Sequence, residues 1–345
     1  MNRILTCRNA NAVSLESAPV PAIGDGEILL RLIACGICGT DIAKVYDSYF
    51  PKPQKIGHEL VGSIVQSRTS QFSVGLRVAV AHHAPDTDSH YTKRGSAPMD
   101  PAFKNSNIEP GGFADFILVP ANLVPFTIVP VPDHVPDLRA IFMEPLACCL
   151  RALDRLSLAQ GDTALIVGAG AVGILFLPLL RDAKVRTLVT DMRQERIDLA
   201  RNWGAADGRT VADGDIVEVT KQHSEGRGAD LVILCVLTPA TLKTAMNAVR
   251  DGGTILLFGS KPNNEINIDW WDIWRREINL ITSYSATPDL MPRAMALLSG
   301  DGYALETLVS HQFPLDEAQS GFELAHQGRV GKVVVSARKD VSAAP

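Results

Sequence analysis

Short apolar runs bounded by glycine or proline dominate the first part of the chain. The clearest of them cover residues 27–35, 60–65 and 77–81. Runs of this length and punctuation are typical of β-strands. The residues up to about 145 are therefore predicted to form a mostly β unit.

From residue 163 the pattern changes to apolar runs that alternate with helical segments. The apolar runs cover 163–167, 187–190, 230–236 and 254–258, and the helices are predicted to begin near Ala171, Glu195 and Pro239. Such alternation is typical of right-handed βαβ units around a parallel sheet, so an α/β fold class is predicted. Gly204 is expected to end a helix over 195–203, and Gly252 a helix over 241–250, because glycine readily adopts the left-handed conformation found after helices.

Composition and charge exclude several classes of protein. The chain has 345 residues, of which 46% are hydrophobic and 21% charged, enough for a substantial core and two domains. A net charge of −5 without a long basic run argues against a nucleic-acid partner. The longest apolar runs, 173–180 and 231–237, are far shorter than the ~20 residues of a membrane-spanning helix. With no secretory signal pattern at the N-terminus, a cytoplasmic location is expected.

A glycine-rich segment over 168–173 follows the first of the later apolar runs and opens a helix. In this context Gly168 would make the tight turn, Gly170 would let the backbone approach a pyrophosphate, and Gly173 would permit close helix-sheet packing. The alternative is a glycine-rich turn without a ligand. Asp191 favours the binding function, because it ends the next strand near the spacing expected of the carboxylate that binds a nucleotide ribose.

The same carboxylate indicates which dinucleotide is bound. Asp191 would accept hydrogen bonds from free ribose hydroxyls and repel a 2′-phosphate, so NAD is favoured over NADP. Arg193 and Arg196 lie nearby and keep NADP open as an alternative. The candidate cofactor-binding residues are Gly168, Gly170, Val172, Gly173, Asp191 and Arg196.

Cys38, His58 and Glu144 are residue types that bind a catalytic zinc, which takes three protein ligands and keeps a fourth position open. Cys35 and Cys38 could instead form a redox C-x-x-C pair, but such a pair usually opens a helix in a thioredoxin-like unit. The six cysteines are scattered through a large chain and do not form a disulfide framework. Spacing alone leaves the metal site undecided.

The local sequences Cys-Gly-Ile-Cys-Gly-Thr-Asp over 35–41, Gly-His-Glu over 57–59 and Glu-Pro-Leu over 144–146 precede the glycine-rich segment in this order. Together they resemble the zinc-containing medium-chain dehydrogenases, particularly the sorbitol, xylitol and threonine dehydrogenase branch, over nearly the whole chain. The resemblance implies a GroES-like catalytic domain over 1–146 and 286–345 and a Rossmann NAD-binding domain over 147–285.

The resemblance also implies the roles of individual residues. Cys38 and His58 would ligate zinc, and either Glu59 or Glu144 would supply the third ligand or hold the metal-bound water. Thr40 resembles the hydroxyl that relays the alcohol proton. Several relatives place a histidine three residues after this hydroxyl, whereas this chain has Ala43 there.

A second zinc site found in many relatives is expected to be absent. The positions of its four cysteines correspond here to Asp86, Ser89, Thr92 and Asp100. Two carboxylates and two hydroxyls are poor tetrahedral zinc ligands, so one zinc per chain is predicted. Three histidines in the same region could in principle build a different site, but they are expected to be solvated; they are His82, His83 and His90.

The implied function is transfer of a hydride from the secondary hydroxyl of a small, polyol-like alcohol to NAD. L-Threonine 3-dehydrogenase-like oxidation of an amino alcohol is the nearest alternative. A zinc-free, NADPH-dependent quinone or enoyl reductase and a non-catalytic nucleotide-binding protein are two further alternatives. The family resemblance implies a homodimer or homotetramer, in which an edge strand over 279–284 pairs across subunits.

Overall fold

The structure, a computed structural model, describes residues 1–212, 215–260 and 264–337. The described chain forms two compact units. The first contains Met1–Ala147 and the described residues from Ala286 onward, and the second is Cys148–Ser285.

The strands and helices are numbered along the chain. The strands are β1 (Asn2–Thr6), β2 (Ser14–Ala18), β3 (Ile28–Gly36), β4 (Glu59–Ser67), β5 (Arg77–Val80), β6 (Phe116–Val119), β7 (Ile128–Pro130), β8 (Thr163–Val167), β9 (Arg186–Asp191), β10 (Asp207–Thr210), β11 (Ala229–Leu234), β12 (Val249–Leu257), β13 (Asn279–Thr282), β14 (Val309–Pro314) and β15 (Lys332–Ser336). The α-helices are α1 (Gly39–Tyr46), α2 (His90–Lys93), α3 (Pro101–Asn105), α4 (Val124–Thr127), α5 (Asp137–Ala140), α6 (Met143–Leu153), α7 (Ala171–Asp182), α8 (Gln194–Asn202), α9 (Ile216–His223), α10 (Pro239–Ala248), α11 (Trp270–Arg275), α12 (Leu290–Leu298) and α13 (Ala318–His326). Short 3₁₀ helices lie at Ala97–Met99, Asp301–Tyr303, Leu305–Leu308 and Leu315–Glu317.

The first unit is built on a β-sheet in which strands from both ends of the chain meet. The strand order is β14-β15-β3-β4-β5-β7, with β6 also paired to β3, and β1 and β2 form a separate antiparallel pair. The pairing of β15 with β3 places Val334 opposite Gly36 and Val335 opposite Cys35. The C-terminal strand therefore completes the sheet that carries the residues around Cys38.

The second unit is a parallel sheet with the order β10-β9-β8-β11-β12-β13. The order reverses beside β8, so the chain crosses over in both directions from this strand, as in a doubly wound Rossmann fold. The central strands β8 and β11 are almost completely buried, as expected for strands covered by helices on both faces. The predicted α/β class with a β-rich unit and a Rossmann-like sheet is confirmed.

The sequence predictions of this sheet were accurate at β8 and less so after it. The predicted run 163–167 is β8, and α7 begins at Ala171 as expected. The helix predicted over 241–250 was wrong at its end: α10 stops at Ala248, and Val249 already belongs to β12, where it pairs with Ala229. Gly252 therefore lies within β12 and does not end a helix, although its φ of +69° is left-handed.

β10 and α9 were not predicted. β10 has only four residues, which include glycine, arginine and threonine, so no apolar run marks it. In the described part of the chain, no helix is both long enough and apolar enough to cross a membrane.

Candidate metal centre and nucleotide-binding turn

A sulfur, an imidazole and a carboxylate lie close together in the first unit. The ligand atoms of Cys38, His58 and Glu59 are all within 4.8 Å of one another. His58 and Glu59 are buried and Cys38 is half-buried. These donor types are those of zinc sites, so the residues present fit a zinc ion.

The pairing of two neighbouring strands brings the cluster together. Cys38 follows β3 and precedes α1, whereas Glu59 is the first residue of β4 and pairs with Gly36 of β3. A Cβ atom at position 36 would lie 2.2 Å from Glu59 Oε2. Glycine at this position therefore leaves the space that the Glu59 side chain occupies.

The loop before His58 is held by a second close backbone approach. Gly57 has a φ of +84°, and a Cβ atom there would lie 2.9 Å from the backbone nitrogen of Phe113. The amide of Gly112 donates to the carbonyl oxygens of Ile56, at 3.0 Å, and Gly57, at 2.9 Å. Only a residue without a side chain fits this left-handed, crowded position, which sets the direction from which His58 enters the cluster.

Asp41 connects both ends of the cluster and was not assigned a role from the sequence. Its carboxylate is completely buried and accepts the backbone N–H of Cys38 at 3.1 Å and that of Gly57 at 2.9 Å. Its Oδ1 lies 3.3 Å from Nδ1 of His58. A carboxylate partner on one ring nitrogen orients the imidazole and leaves the other nitrogen for a metal.

The buried charges of this group stabilise one another. Burial by itself would lower the pKa of His58, but the facing Asp41 and Cys38 raise that pKa well above its usual value. Burial would raise the pKa of Asp41, whereas His58 and the Gly57 amide bring it below its usual value. The site thus favours a positive charge, whether carried by a proton or by a metal ion.

Lys332, the first residue of β15, is a second residue that sequence reasoning missed. Its ammonium group lies 2.6 Å from Oε2 and 2.9 Å from Oε1 of Glu59, and both side chains are buried. The signal in the sequence was weak: a single lysine before the apolar residues 333–335. Since the pair is separated by 273 positions, only the return of the chain to the first unit brings it together.

The remaining predicted residues of the catalytic unit lie in the first turns of two helices. Glu144 is buried in the first turn of α6 and does not belong to the three-residue cluster described above. Thr40 is exposed in the first turn of α1, and Ala43 follows one turn later in the same helix. Among the predicted metal-site residues, the cluster contains Cys38, His58 and Glu59.

Two of the three additional histidines extend the cluster. The ring centroids of His58 and His82 are 4.7 Å apart, and those of His82 and His83 are 3.7 Å apart. Burial and the neighbouring rings hold the pKa of His82 well below its usual value, and burial lowers that of His83 to about 4. His82 and His83 are half-buried and packed against neighbouring rings, so they are less solvated than expected, whereas His90 is exposed.

The four positions expected to lack zinc ligands are hydrogen-bonded in two pairs. The buried Asp100 carboxylate accepts the backbone N–H of Asp86 at 2.8 Å. The Ser89 hydroxyl donates to that of Thr92 at 3.1 Å. A carboxylate with its hydrogen-bond partners therefore occupies the centre of this segment.

The nucleotide-binding turn in the second unit has the geometry expected from its glycines. Gly168 has a φ of +101°. A Cβ atom at Gly173 would lie 2.1 Å from the carbonyl oxygen of Gly168, so only glycine permits this contact between turn and helix. At Gly170, by contrast, the nearest atom to an added Cβ is a guanidinium nitrogen of Arg196 at 4.0 Å, which leaves open space beside the backbone.

The start of α7 is suited to an anion. Gly170 is its N-terminal flanking residue, and no side chain in the described part of the protein caps this end. Val172 is half-buried in the first turn. Free backbone amides and the helix dipole favour a phosphate group at such a position.

Asp191 ends β9 beside the same turn. Its carboxylate accepts the backbone N–H groups of Ala169 at 2.9 Å and Arg193 at 3.1 Å. Arg196 lies 3.4 Å from Oδ2 of the same carboxylate. The predicted cofactor-binding residues Gly168, Gly170, Gly173, Asp191 and Arg196 thus lie around one turn.

Two family models match the chain. Residues 24–133 match the alcohol dehydrogenase GroES-like domain, and residues 171–300 match the zinc-binding dehydrogenase domain. The chain is 27% identical over 331 residues to L-threonine 3-dehydrogenase of Proteus mirabilis (strain HI4320), a match that covers 93% of this chain and 95% of the relative.

Solved structures have the same fold along almost the whole chain. A putative zinc-binding dehydrogenase from Sinorhizobium meliloti 1021 bound to NADP superposes with a TM-score of 0.87 at 26% identity, covering 97% of this chain and 99% of the other. 2R,3R-butanediol dehydrogenase from Bacillus subtilis superposes with a TM-score of 0.85 at 21% identity, covering 98% and 100%. With matched models for both units and a zinc-type donor cluster, the chain belongs to the zinc-binding medium-chain dehydrogenases and is an oxidoreductase that acts on CH–OH groups.

Proposed function

We propose that the protein is a zinc- and NAD-dependent dehydrogenase that oxidises a secondary hydroxyl of a small, polyol-like alcohol. The observation that carries the proposal is the buried cluster of Cys38, His58 and Glu59, whose ligand atoms lie within 4.8 Å of one another. Family membership alone does not say which residues of this chain would bind zinc. This cluster supplies donor atoms of the types that zinc takes.

Cys38 and His58 are the proposed ligands, and the carboxylates of Glu59 and Glu144 are the candidates for the third. When bound, zinc would supply a Lewis acid that lowers the pKa of the substrate hydroxyl. Asp41 orients His58, and Thr40 in the exposed first turn of α1 would accept the alcohol proton at its hydroxyl oxygen. Because Ala43 offers no imidazole, the proton would pass from Thr40 to water.

The second unit is proposed to bind the dinucleotide, with the pyrophosphate at the start of α7 and the ribose at Asp191. The carboxylate supports NAD, since a 2′-phosphate would be repelled there. Arg193 and Arg196 flank the carboxylate, and the Sinorhizobium meliloti relative is bound to NADP, so NADP is the competing cofactor to be measured.

The polyol-like substrate is supported by the histidines beside the cluster. The ring centroid of His82 lies 4.7 Å from that of His58, and that of His83 lies 3.7 Å from that of His82, so two further imidazoles beside the cluster can hydrogen-bond to the additional hydroxyls of a polyol. Oxidation of an amino alcohol is the second candidate, because the similar Proteus mirabilis protein is an L-threonine 3-dehydrogenase.

We further propose one zinc per chain and a homodimer or homotetramer. A single zinc is supported by the hydrogen bond from the Asp86 amide to Asp100, which connects this segment without a metal. An oligomer is supported by the edge position of β13 and by three exposed tryptophans in the preceding α11, which are Trp270, Trp271 and Trp274. Equilibrium sedimentation would measure the oligomeric state. The cytoplasmic location expected from the sequence stays a prediction.

The test is the zinc content of the purified protein, measured together with NAD and NADP reduction across polyols, L-threonine and simple secondary alcohols. Cys38→Ser is expected to lose zinc and activity, whereas Cys7→Ser, a buried cysteine outside the cluster, is the matched control and should keep both. One zinc per chain and chelator-sensitive NAD reduction with a polyol are the expected results. Protein without zinc that reduces quinones with NADPH would overturn both the metal site and the chemistry.

A further inference from the structure

Lys44, in α1, is a half-buried lysine without an acidic partner. Its ammonium group donates a hydrogen bond to the backbone carbonyl oxygen of Lys55 at 2.9 Å, and this bond is exposed to solvent. Within the described ranges of the chain, no carboxylate lies within ion-pair distance of this ammonium group. Because an ammonium group has three N–H donors, Lys44 can still donate to a ligand.

The helix places Lys44 beside the candidate metal centre. Lys44 follows Thr40 by four residues, and side chains at this spacing lie on one face of a helix, about 5–6 Å apart. The carbonyl oxygen that it contacts belongs to Lys55, three residues before His58. The ammonium group is therefore held between the helix face that carries Thr40 and the segment that leads to His58.

The charge of Lys44 acts on groups of this centre. Burial is the largest influence on the pKa of Asp41, His82 and His83, and the positive charge of Lys44 contributes to lowering the pKa of all three. These residues come from two segments that pack around His58. The ammonium charge thus faces the centre, where a positive charge favours a negatively charged ligand.

The neighbouring charged groups do not neutralise Lys44. Lys52 is a second cation, whose ammonium group donates to the backbone carbonyl oxygen of Lys44. The ammonium group of Lys55 pairs with Glu109. The carboxylate of Asp41 is completely buried and accepts two backbone amides. A carboxylate at Lys44 must therefore come from a bound molecule.

We propose that Lys44 is a specificity-determining residue that binds a carboxylate of the substrate, so that the alcohol is a polyhydroxy acid. The proposal deepens the proposed function and rests on it. Since one helical turn separates Lys44 from Thr40, the oxidised hydroxyl and the carboxylate are several carbon atoms apart, as in an aldonate, the acid of an open-chain sugar. The carboxylate is bound and does not react.

The test compares aldonates with the alditols of the same chain length and configuration, using the full-length, zinc-loaded protein and whichever of NAD and NADP it reduces. We expect the wild type to have a higher kcat/KM for an aldonate than for the matching alditol. In Lys44→Met, the ratio of these two values should fall about ten- to 100-fold, mainly through KM for the aldonate, because a charge-assisted hydrogen bond is lost. Lys44→Arg keeps the charge and should keep the preference for aldonates.

Lys55→Met is the matched control. It removes an exposed positive charge that pairs with Glu109, and it keeps the backbone carbonyl that Lys44 contacts. Its ratio of aldonate to alditol kcat/KM should equal that of the wild type. A second readout needs no metal: saturation-transfer NMR of chelator-treated protein should show aldonate binding in the wild type and its loss in Lys44→Met.

Several results would overturn the inference. They are a wild-type preference for alditols, an unchanged ratio in Lys44→Met, and an equal loss in Lys55→Met, which would show a general effect of positive charge. Weaker NADH binding in Lys44→Met with an unchanged substrate ratio would assign the lysine to the phosphates of the cofactor. A protein that oxidises neither aldonates nor alditols would overturn the proposed function, whereas aldonate binding that depends on Lys44 in the NMR experiment would still support the carboxylate site.

Discussion

Replacement of Asp41 by asparagine tests whether this residue holds the metal cluster together. The change keeps the volume of the side chain but removes its charge and turns one carboxylate oxygen into an N–H donor. Asp41 accepts from the amides of Cys38 and Gly57 and lies 3.3 Å from His58 Nδ1. In the variant, the new amide group must face one of these three donors.

The magnitude follows from these contacts. Hydrogen bonds to a charged group contribute about 1.5–3 kcal/mol each, and a buried donor without an acceptor costs a similar amount. Loss of one bond and of the attraction to His58 should lower the free energy of unfolding by about 2–4 kcal/mol. Since domains are usually stable by about 5–15 kcal/mol, the variant should still fold. Metal affinity should fall about 10–100-fold, because the imidazole loses the partner that orients it.

The assay is urea unfolding of the metal-free protein, in the presence of a chelator, together with zinc affinity from chelator competition. Asp47→Asn is the matched control: Asp47 follows the same helix, and its Oδ1 accepts the Tyr49 amide at 2.9 Å, a bond that asparagine can also accept. This control should lie within about 0.5 kcal/mol of wild type. The reasoning is refuted if Asp41→Asn matches the control in both stability and zinc affinity.

Three further variants test other parts of the molecule. Gly173→Ala places a Cβ 2.1 Å from the Gly168 carbonyl oxygen, so NADH affinity, measured by fluorescence titration, should fall about ten-fold, and unchanged affinity would contradict the packing argument. Burial would raise the pKa of Glu306, but Arg139, whose guanidinium bonds its oxygens at 2.6 and 2.5 Å, lowers it below its usual value. The pair therefore stabilises the protein above the usual glutamate pKa of about 4.3 and less as pH falls through the lowered value, so Glu306→Gln should cost about 1 kcal/mol at neutral pH and progressively less in acid. Asp100→Asn should speed hydrogen exchange of the surrounding amides without changing the zinc content, and a loss of zinc would instead place a metal in that segment.

The sequence predictions were accurate where interactions between neighbouring residues determine the structure, and less accurate where residues distant in sequence do. β8 was predicted to the residue, and α7 was predicted to begin near Ala171, where it begins, because a buried apolar run and a glycine turn are local signals. The end of α10 was missed because Val249 leaves the helix to pair with Ala229, a neighbour that is distant in sequence. Residues with a regular local pattern were thus predictable, and those whose conformation depends on a distant strand were not.

The sequence by itself determined the ligand types and their order, the glycines of the nucleotide-binding turn and the carboxylate that ends β9. Each of these depends on chemistry within a few neighbouring residues: a donor atom, a left-handed φ, or a missing Cβ. Only the tertiary structure decided which of these groups meet. It joined Asp41 to His58 and Lys332 to Glu59, and it packed His82 against the cluster. Burial and pairing of charges arise from segments far apart in the chain, and no local pattern encodes them.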